Sequence, residues 1–193
     1  MVGADHAARP DGPLVWLVLP DPAQSEAALL LARLSGLGIA ECTGAGTGLS
    51  DTALLHKMQV LAEVLQKHPL AVNPLDALAA LGGLEIATMV GAVLQAAEEN
   101  RVIVVDGFIA SSAVLVAHAL QPLVLQRCIF AHLSGERGHA LMLQHLGVIP
   151  LLDWGLRLGE GSGAALAWPL LESACAILCD MASFTSAGVS EGL

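Results

Sequence analysis

The sequence predicts an α/β protein, a Rossmann-like parallel sheet with helices on both faces and a helical C-terminal segment. Short unbroken apolar runs, Leu14–Leu19 (LVWLVL) and Val102–Val105 (VIVV), suit strands buried on both faces. Helix-length stretches rich in Ala and Leu separate them, and strands alternating with helices imply a parallel sheet. Polar and glycine-rich residues follow the predicted strands, where ligands of such sheets bind: Asp21, Gly44–Gly48, Asp106-Gly107 and Ser134. At 193 residues the chain fits one domain, taken as 14–193, behind a polar tail, 1–13.

In order along the chain, Leu14–Leu19 is the first strand, and Ser25 precedes a helix from Glu26 to Leu34 that stops near Gly36 and Gly38. Ile39–Cys42 reads as a further short strand, and Gly44-Ala45-Gly46-Thr47-Gly48 is a loop at its end. Asp51 caps a helix running to Lys67. Asn73-Pro74 opens a short helix closed by Gly82-Gly83, and Leu84–Ala97 is the next. Val102–Val105 ends at Asp106-Gly107, before a helix starting near Ser111 or Ser112. Cys128–Ala131 is another strand, ending at His132-Leu133-Ser134, and a helix follows from about Glu136 to Leu146. From Leu151 to about Ala187 the pattern is mainly helical, interrupted at Gly159–Gly163.

Composition narrows the function. Hydrophobic residues make up 55% of the chain and charged residues 13%, about half the usual charged share. So little charge leaves little to cover a monomer's surface, which predicts a permanent interface or a membrane. The longest uncharged run, Gly107 to Gln126, contains Ser111, Ser112, His118, Gln121, Pro122 and Gln126, which argues against a span. The N-terminal residues lack the apolar core of a secretory signal, so the expected location is cytoplasmic. A net charge of −10 with only eight Lys and Arg argues against nucleic acid. Cys42, Cys128, Cys175 and Cys179 show no CxxC spacing and are expected to be buried free thiols.

The chemistry concentrates at Gly159-Glu160-Gly161-Ser162-Gly163, which leads into Ala164–Ala167. Backbone N–H groups at a helix start, approached closely across glycines, form an anion site. Glu160 inside that cradle would repel a phosphate unless it faces the other end of the ligand, where a carboxylate suits a general base or an oxocarbenium stabiliser. Gly46 and Gly48 belong to a second cradle, and Lys57 is one of few cations able to reach it, the alternative being a solvated surface lysine. Ser134 with Glu136 reads as the start of a helix. His132, His139 and His145 lack the spacing and the acidic or thiol partners of a metal set, so no metal is expected.

Five segments in order carry a resemblance: Gly46-Thr47-Gly48-Leu49 with Asp51 and Lys57; Gly82-Gly83-Leu84-Glu85-Ile86-Ala87; Asp106-Gly107-Phe108; His132-Leu133-Ser134-Gly135-Glu136-Arg137-Gly138-His139; and Arg157 to Gly163 with Ala164–Ala167. From about residue 40 onward the chain resembles the C-terminal half of the nicotinate-nucleotide:dimethylbenzimidazole phosphoribosyltransferase family. The resemblance implies a Rossmann-like homodimer that moves phosphoribose from nicotinate mononucleotide to 5,6-dimethylbenzimidazole, giving α-ribazole phosphate for the cobalamin lower ligand. It implies no metal or organic cofactor. On that pattern Glu160 is the general base, and Lys57, Ser134 and Gly163 surround the phosphate, with Gly46, Gly48, Asp106, Gly159, Gly161 and Ser162 in the same site. Family members are nearly twice this length, so the benzimidazole-side half is expected from a partner. A Gly-Glu loop ending in Asn-Thr-Thr is replaced here by Pro20-Asp21-Pro22-Ala23-Gln24-Ser25, whose prolines remove N–H donors. The alternative reading is a non-catalytic or partner-dependent subunit that binds nucleotide without turnover.

Overall fold

The computed structural model describes residues 14–17 (backbone only), 23–44, 50–157, 159, 161–182 and 187. Strand β1, Leu14–Leu17, is followed by helix α1, Gln24–Ser35, which ends on Gly36 in the left-handed conformation at φ 77°. The expected strand Ile39–Cys42 is instead a one-turn helix, α2. Its start explains the difference: Gly38 N–H donates to the Glu41 carboxylate at 3.0 Å, a capping bond that favours a turn over an extended strand.

Helix α3, Asp51–Lys67, begins one residue earlier than expected, because Ser50 rather than Asp51 accepts the bond from Ala53 N–H. Helix α4, Pro74–Leu81, has the expected Asn73 cap and first-position proline, and α5 runs Leu84–Glu98. Strand β2, Val102–Val105, then leads into α6, Gly107–Leu120. That helix starts at Gly107 rather than near Ser111, since glycine takes φ 78° directly after the strand. Ser111 and Ser112 therefore lie inside the helix, their hydroxyls donating to Gly107 O and Ile109 O.

A 3-10 turn, Pro122–Arg127, ends the long uncharged run and returns the chain to β3, Cys128–Phe130. His132–Ser134, expected as a strand end, forms a strand of its own, β4, which precedes α7, Arg137–Leu146. The region after Leu151 opens with a strand, β5 (Leu152–Leu156), where helix was expected; α8, Ser162–Asp180, follows. Leu152–Leu156 carries no 3.6-residue pattern, and its backbone is taken up by pairing with β4.

All pairings are parallel. β2 lies between β1 and β3, with Leu14 opposite Val102 and Ile103 opposite Cys128, and β4 pairs with β5. Ala131 joins the two sheets: its N–H donates to Val105 O at 2.9 Å and its carbonyl accepts from Leu152 N–H at 3.0 Å. The strands thus form one kinked parallel layer.

Alternation along β2 assigns its faces. Ile103 and Val105 enter the main core with Leu30, Val93, Val114 and Phe130, whereas Val104 joins Ala131, Leu152, Ala164 and Ala167 beneath α8. Helices therefore cover both faces, as expected. Helix α6 runs through the main core, buried from Phe108 to Ala117, and so has no polar stripe.

Candidate active site

The carboxyl ends of β2 and β4 and the start of α8 converge. Asp106 ends β2 and begins α6; its carboxylate is 5% exposed. His132 opens β4, and its ring is 6% exposed. Asp106 Oδ1 and His132 Nδ1 stand 2.8 Å apart, close enough for an ion pair but out of line for a hydrogen bond, so neither atom has a hydrogen-bond partner among the described residues. The carboxylate and the imidazole are both buried and face each other at contact distance.

The first turn of α8 rests on this pair. Gly163 has no side chain, and a Cβ there would overlap His132 Nδ1 and Asp106 Oδ1. Glycine is what allows the helix to seat this deeply. Gly161, at φ 82°, caps the helix without any side-chain bond to its first N–H groups, and Ser162 Oγ is buried with no hydrogen-bond partner among the described residues. Gly159, at φ 69°, accepts from Ser162 N–H at 3.1 Å. A helix start with no capping side chain leaves donors for an anion.

Ser134 belongs to β4 and not to a cap of α7, whose N-cap is Glu136. Its N–H donates to His139 Nδ1 at 3.0 Å, and its hydroxyl lies 2.9 Å from the same nitrogen. That places the proton of the neutral ring on Nε2, which donates to Ser111 Oγ at 3.1 Å; Ser111 passes its own proton to Gly107 O at 2.7 Å. Burial, and then the nearby His132, pushes the His139 pKa down to about 3. With both ring nitrogens engaged, His139 has no lone pair left for a metal.

Neighbouring loops close around these groups. Arg157 donates to Gly135 O at 3.3 Å and lies over Gly135, tying the approach to α8 to the turn after β4. Gly44 lies against the Glu136 carboxylate and the start of α7.

Asp106, Ser134, Gly159, Gly161, Ser162 and Gly163 therefore gather at one end of the sheet. Lys57 is half-buried in α3, which packs on α1 and α2, and it has no hydrogen bond or ion pair among the described residues. Gly46, Gly48, Glu160 and Asp21 lie outside the described residues. Sequence reasoning missed the Asp106–His132 pair and the Ser134–His139–Ser111 relay. The signal was available, since the histidines weighed and rejected as metal ligands fall beside Ser134 and after a strand-ending aspartate.

The family described as Phosphoribosyltransferase matches residues 23–189. The chain belongs to that phosphoribosyltransferase family. A relative of this phosphoribosyltransferase chain, the nicotinate-nucleotide--dimethylbenzimidazole phosphoribosyltransferase of Variovorax paradoxus (strain S110), is 70% identical over 166 residues, covering 86% of the chain and 48% of the relative. The protein of the same name in Cupriavidus necator is 57% identical over 166 residues, with the same coverage. The crystal structure of CobT from Thermus thermophilus superposes with a TM-score of 0.89 at 37% identity, covering 98% of this chain and 57% of that one. The phosphoribosyltransferase chain thus spans about half the length of the curated relatives it matches.

Two thiols correct the sequence reading. Cys42 is buried and Cys128 half-buried, but Cys175 and Cys179 are exposed on α8. Burial, with Glu41 adding to it, pushes the Cys42 pKa up to about 11, and burial pushes Cys128 up to about 12. Neither is a nucleophile at neutral pH.

Proposed function

We propose that this chain provides the phosphate-holding and proton-accepting side of a site that transfers phosphoribose from nicotinate mononucleotide to 5,6-dimethylbenzimidazole. The observation that carries the reading is the α8 start, free of any capping side chain and seated by Gly163 on Asp106 and His132. A phosphate held there is met by backbone N–H groups and the helix dipole, with the Ser134 hydroxyl on the adjacent strand.

The unprotonated benzimidazole nitrogen attacks C1′ of the ribose as the bond from C1′ to the nicotinate nitrogen breaks. Nicotinate leaves neutral at its ring nitrogen, and Glu160 takes the N–H proton of the benzimidazole. The leaving group departs as a cation made neutral, so the protein's task is to align two rings and fix one phosphate. Asp106 and His132 are positioning residues in this reading, setting the height of the α8 start. Both substrates are water-soluble small molecules, and the reading sets the reaction in the cytoplasm.

The test incubates the purified chain with nicotinate mononucleotide and dimethylbenzimidazole, alone and with the unmatched part of the Variovorax paradoxus relative, and follows α-ribazole phosphate by mass spectrometry. Product is expected in the second mixture, and Glu160→Gln lowers its rate by about 10²–10⁴-fold. No product in either mixture overturns the reading, and an unchanged rate in Glu160→Gln removes Glu160 as the base.

A further inference from the structure

His139 is fully buried on the first turn of α7, and both nitrogens of its ring are engaged. On the α6 side, Nε2–H donates to Ser111 Oγ at 3.1 Å and Ser111 donates to Gly107 O at 2.7 Å, which anchors the ring to the turn that follows Asp106. Phe108 and His132 flank it, with ring centroids 6.2 Å away in each case. Gly138 seats α7 so closely that a Cβ there would come within 2.6 Å of Phe108 Cζ. Close packing of this kind leaves the ring no room to slide relative to β4.

Nδ1 has one lone pair, and Ser134 brings two donors to it. The backbone N–H donates at 3.0 Å, and the hydroxyl oxygen lies 2.9 Å from the same nitrogen. The N–H is held in place by the strand, whereas the hydroxyl proton turns about the Cβ–Oγ bond. Among the described residues, Nδ1 is the hydroxyl's hydrogen-bond partner. While the proton points there, Oγ shows only lone pairs to the site, and lone pairs repel a phosphate. When it turns away, the N–H still fills Nδ1, so no buried nitrogen is stranded without a donor.

We propose that His139 is a positioning residue for nucleotide binding: its Nδ1 holds the Ser134 hydroxyl proton while the site is empty and yields it to a phosphate oxygen when the nucleotide arrives. This rests on the phosphate reading of the α8 start, and it makes Ser134 a donor that the anion itself turns on. The proton stays covalently on Oγ throughout, and only the direction of the O–H bond changes. The anchor on Ser111 keeps the ring from following the hydroxyl, so Oγ holds its place in both states. Burial, and then the nearby His132, hold the ring's pKa at about 3, so Nδ1 keeps its lone pair at neutral pH and adds no charge of its own.

Nitrogen-15 NMR of the histidine-labelled chain at pH 7 reads Nδ1 directly. The probes are nicotinate mononucleotide and, separately, inorganic phosphate, each with and without the unmatched part of the Variovorax paradoxus relative. On binding, Nδ1 loses one of its two donors, and its resonance is expected to move downfield while Nε2 stays where it is. Ligand-free Ser134→Ala, which keeps the N–H and lacks the hydroxyl, is expected to show that shifted position already, and the probes move it no further.

Two neutral variants separate positioning from packing. His139→Asn puts an amide oxygen where Nδ1 stood and keeps an acceptor for Ser134 N–H; His139→Gln reaches Ser111 instead and leaves Ser134 without one. Both are expected to be less stable than the wild type in urea. Calorimetric affinity for nicotinate mononucleotide is nonetheless expected to fall about ten-fold in His139→Gln and about two-fold or less in His139→Asn. An unmoved Nδ1 resonance in a chain that binds the nucleotide overturns the proposal. So does an affinity that falls alike in both variants, in step with their stability, as a purely structural ring would give. No binding of either probe to the wild type, in either arrangement, is a different failure: it removes the phosphate site itself, and this switch with it.

Discussion

Ser134 fixes the chemical identity of the His139 ring. The Ser134 N–H occupies Nδ1 at 3.0 Å, so the ring carries its proton on Nε2, toward Ser111. Nitrogen-15 NMR of the ring is expected to report the neutral Nε2–H tautomer at pH 7 and still at pH 5. A protonated ring, or the Nδ1–H tautomer, would break the relay as described. Ser111→Ala removes the acceptor of a buried N–H and is expected to destabilise by about 1–3 kcal/mol, while Ser112→Ala removes only a bond to the helix's own backbone and costs less.

The same ring sets an acid limit on stability. Folded His139 titrates at about 3, well below its ordinary value, so between about pH 6.5 and 3 the unfolded chain binds one proton more than the folded one. Stability from this group is complete above 6.5 and declines as pH falls, with a limiting slope of about 1.4 kcal/mol per unit. Urea denaturation at stepped pH measures it. His139→Gln, neutral at every pH, is expected to be less stable at pH 7 but to lose that part of the slope.

Gly163→Ala tests the seat of α8. The added methyl overlaps Asp106 and His132, neither of which has room to retreat, so the helix start must lift. A loss of about 1–3 kcal/mol is expected, together with weaker nicotinate mononucleotide binding by calorimetry. A variant of unchanged stability would mean that the helix start is not held against the pair.

Two further glycines predict opposite signs. At Gly138, on α7, a Cβ would overlap the Cys42 carbonyl and come within 2.6 Å of Phe108 Cζ, so Gly138→Ala is expected to cost about 1–3 kcal/mol. Gly91, exposed on α5 with nothing within 4 Å of a new Cβ, is helical without needing to be glycine. Gly91→Ala is expected to gain about 0.5–1 kcal/mol, read as a rise in Tm.

The parallel character of the sheet and most of the helical pieces were legible because they depend on local signals: VIVV between breakers, Asn73-Pro74, the glycine after α1. Ile39–Cys42 misled because four apolar-leaning residues carry no period, and a single Glu41 bond decided between strand and turn. Leu152–Leu156 misled for a related reason: as a strand beside β4 it exposes Trp154, an arrangement that only pairing explains. Ser134 was placed in the site by its motif, but its partner His139 could not be read from spacing, since the bond is made by the fold of α7 back over β4. The exposed half of α8 was anticipated only as a property of the whole composition, too little charge for a free surface, without a location.

The order of the strands also governs the order of events as the chain folds. β2 finds β3 after one helix and one short turn, but Leu14 must wait for Val102 with α1 to α5 between them. Closing that long loop costs entropy before any pairing repays it, so β1 docks late and its arrival limits the folding rate. Until then one edge of β2, made of four consecutive β-branched residues, stands open to strands of other chains. Yield on refolding should therefore fall with protein concentration long before the finished molecule shows any tendency to aggregate through its sheet.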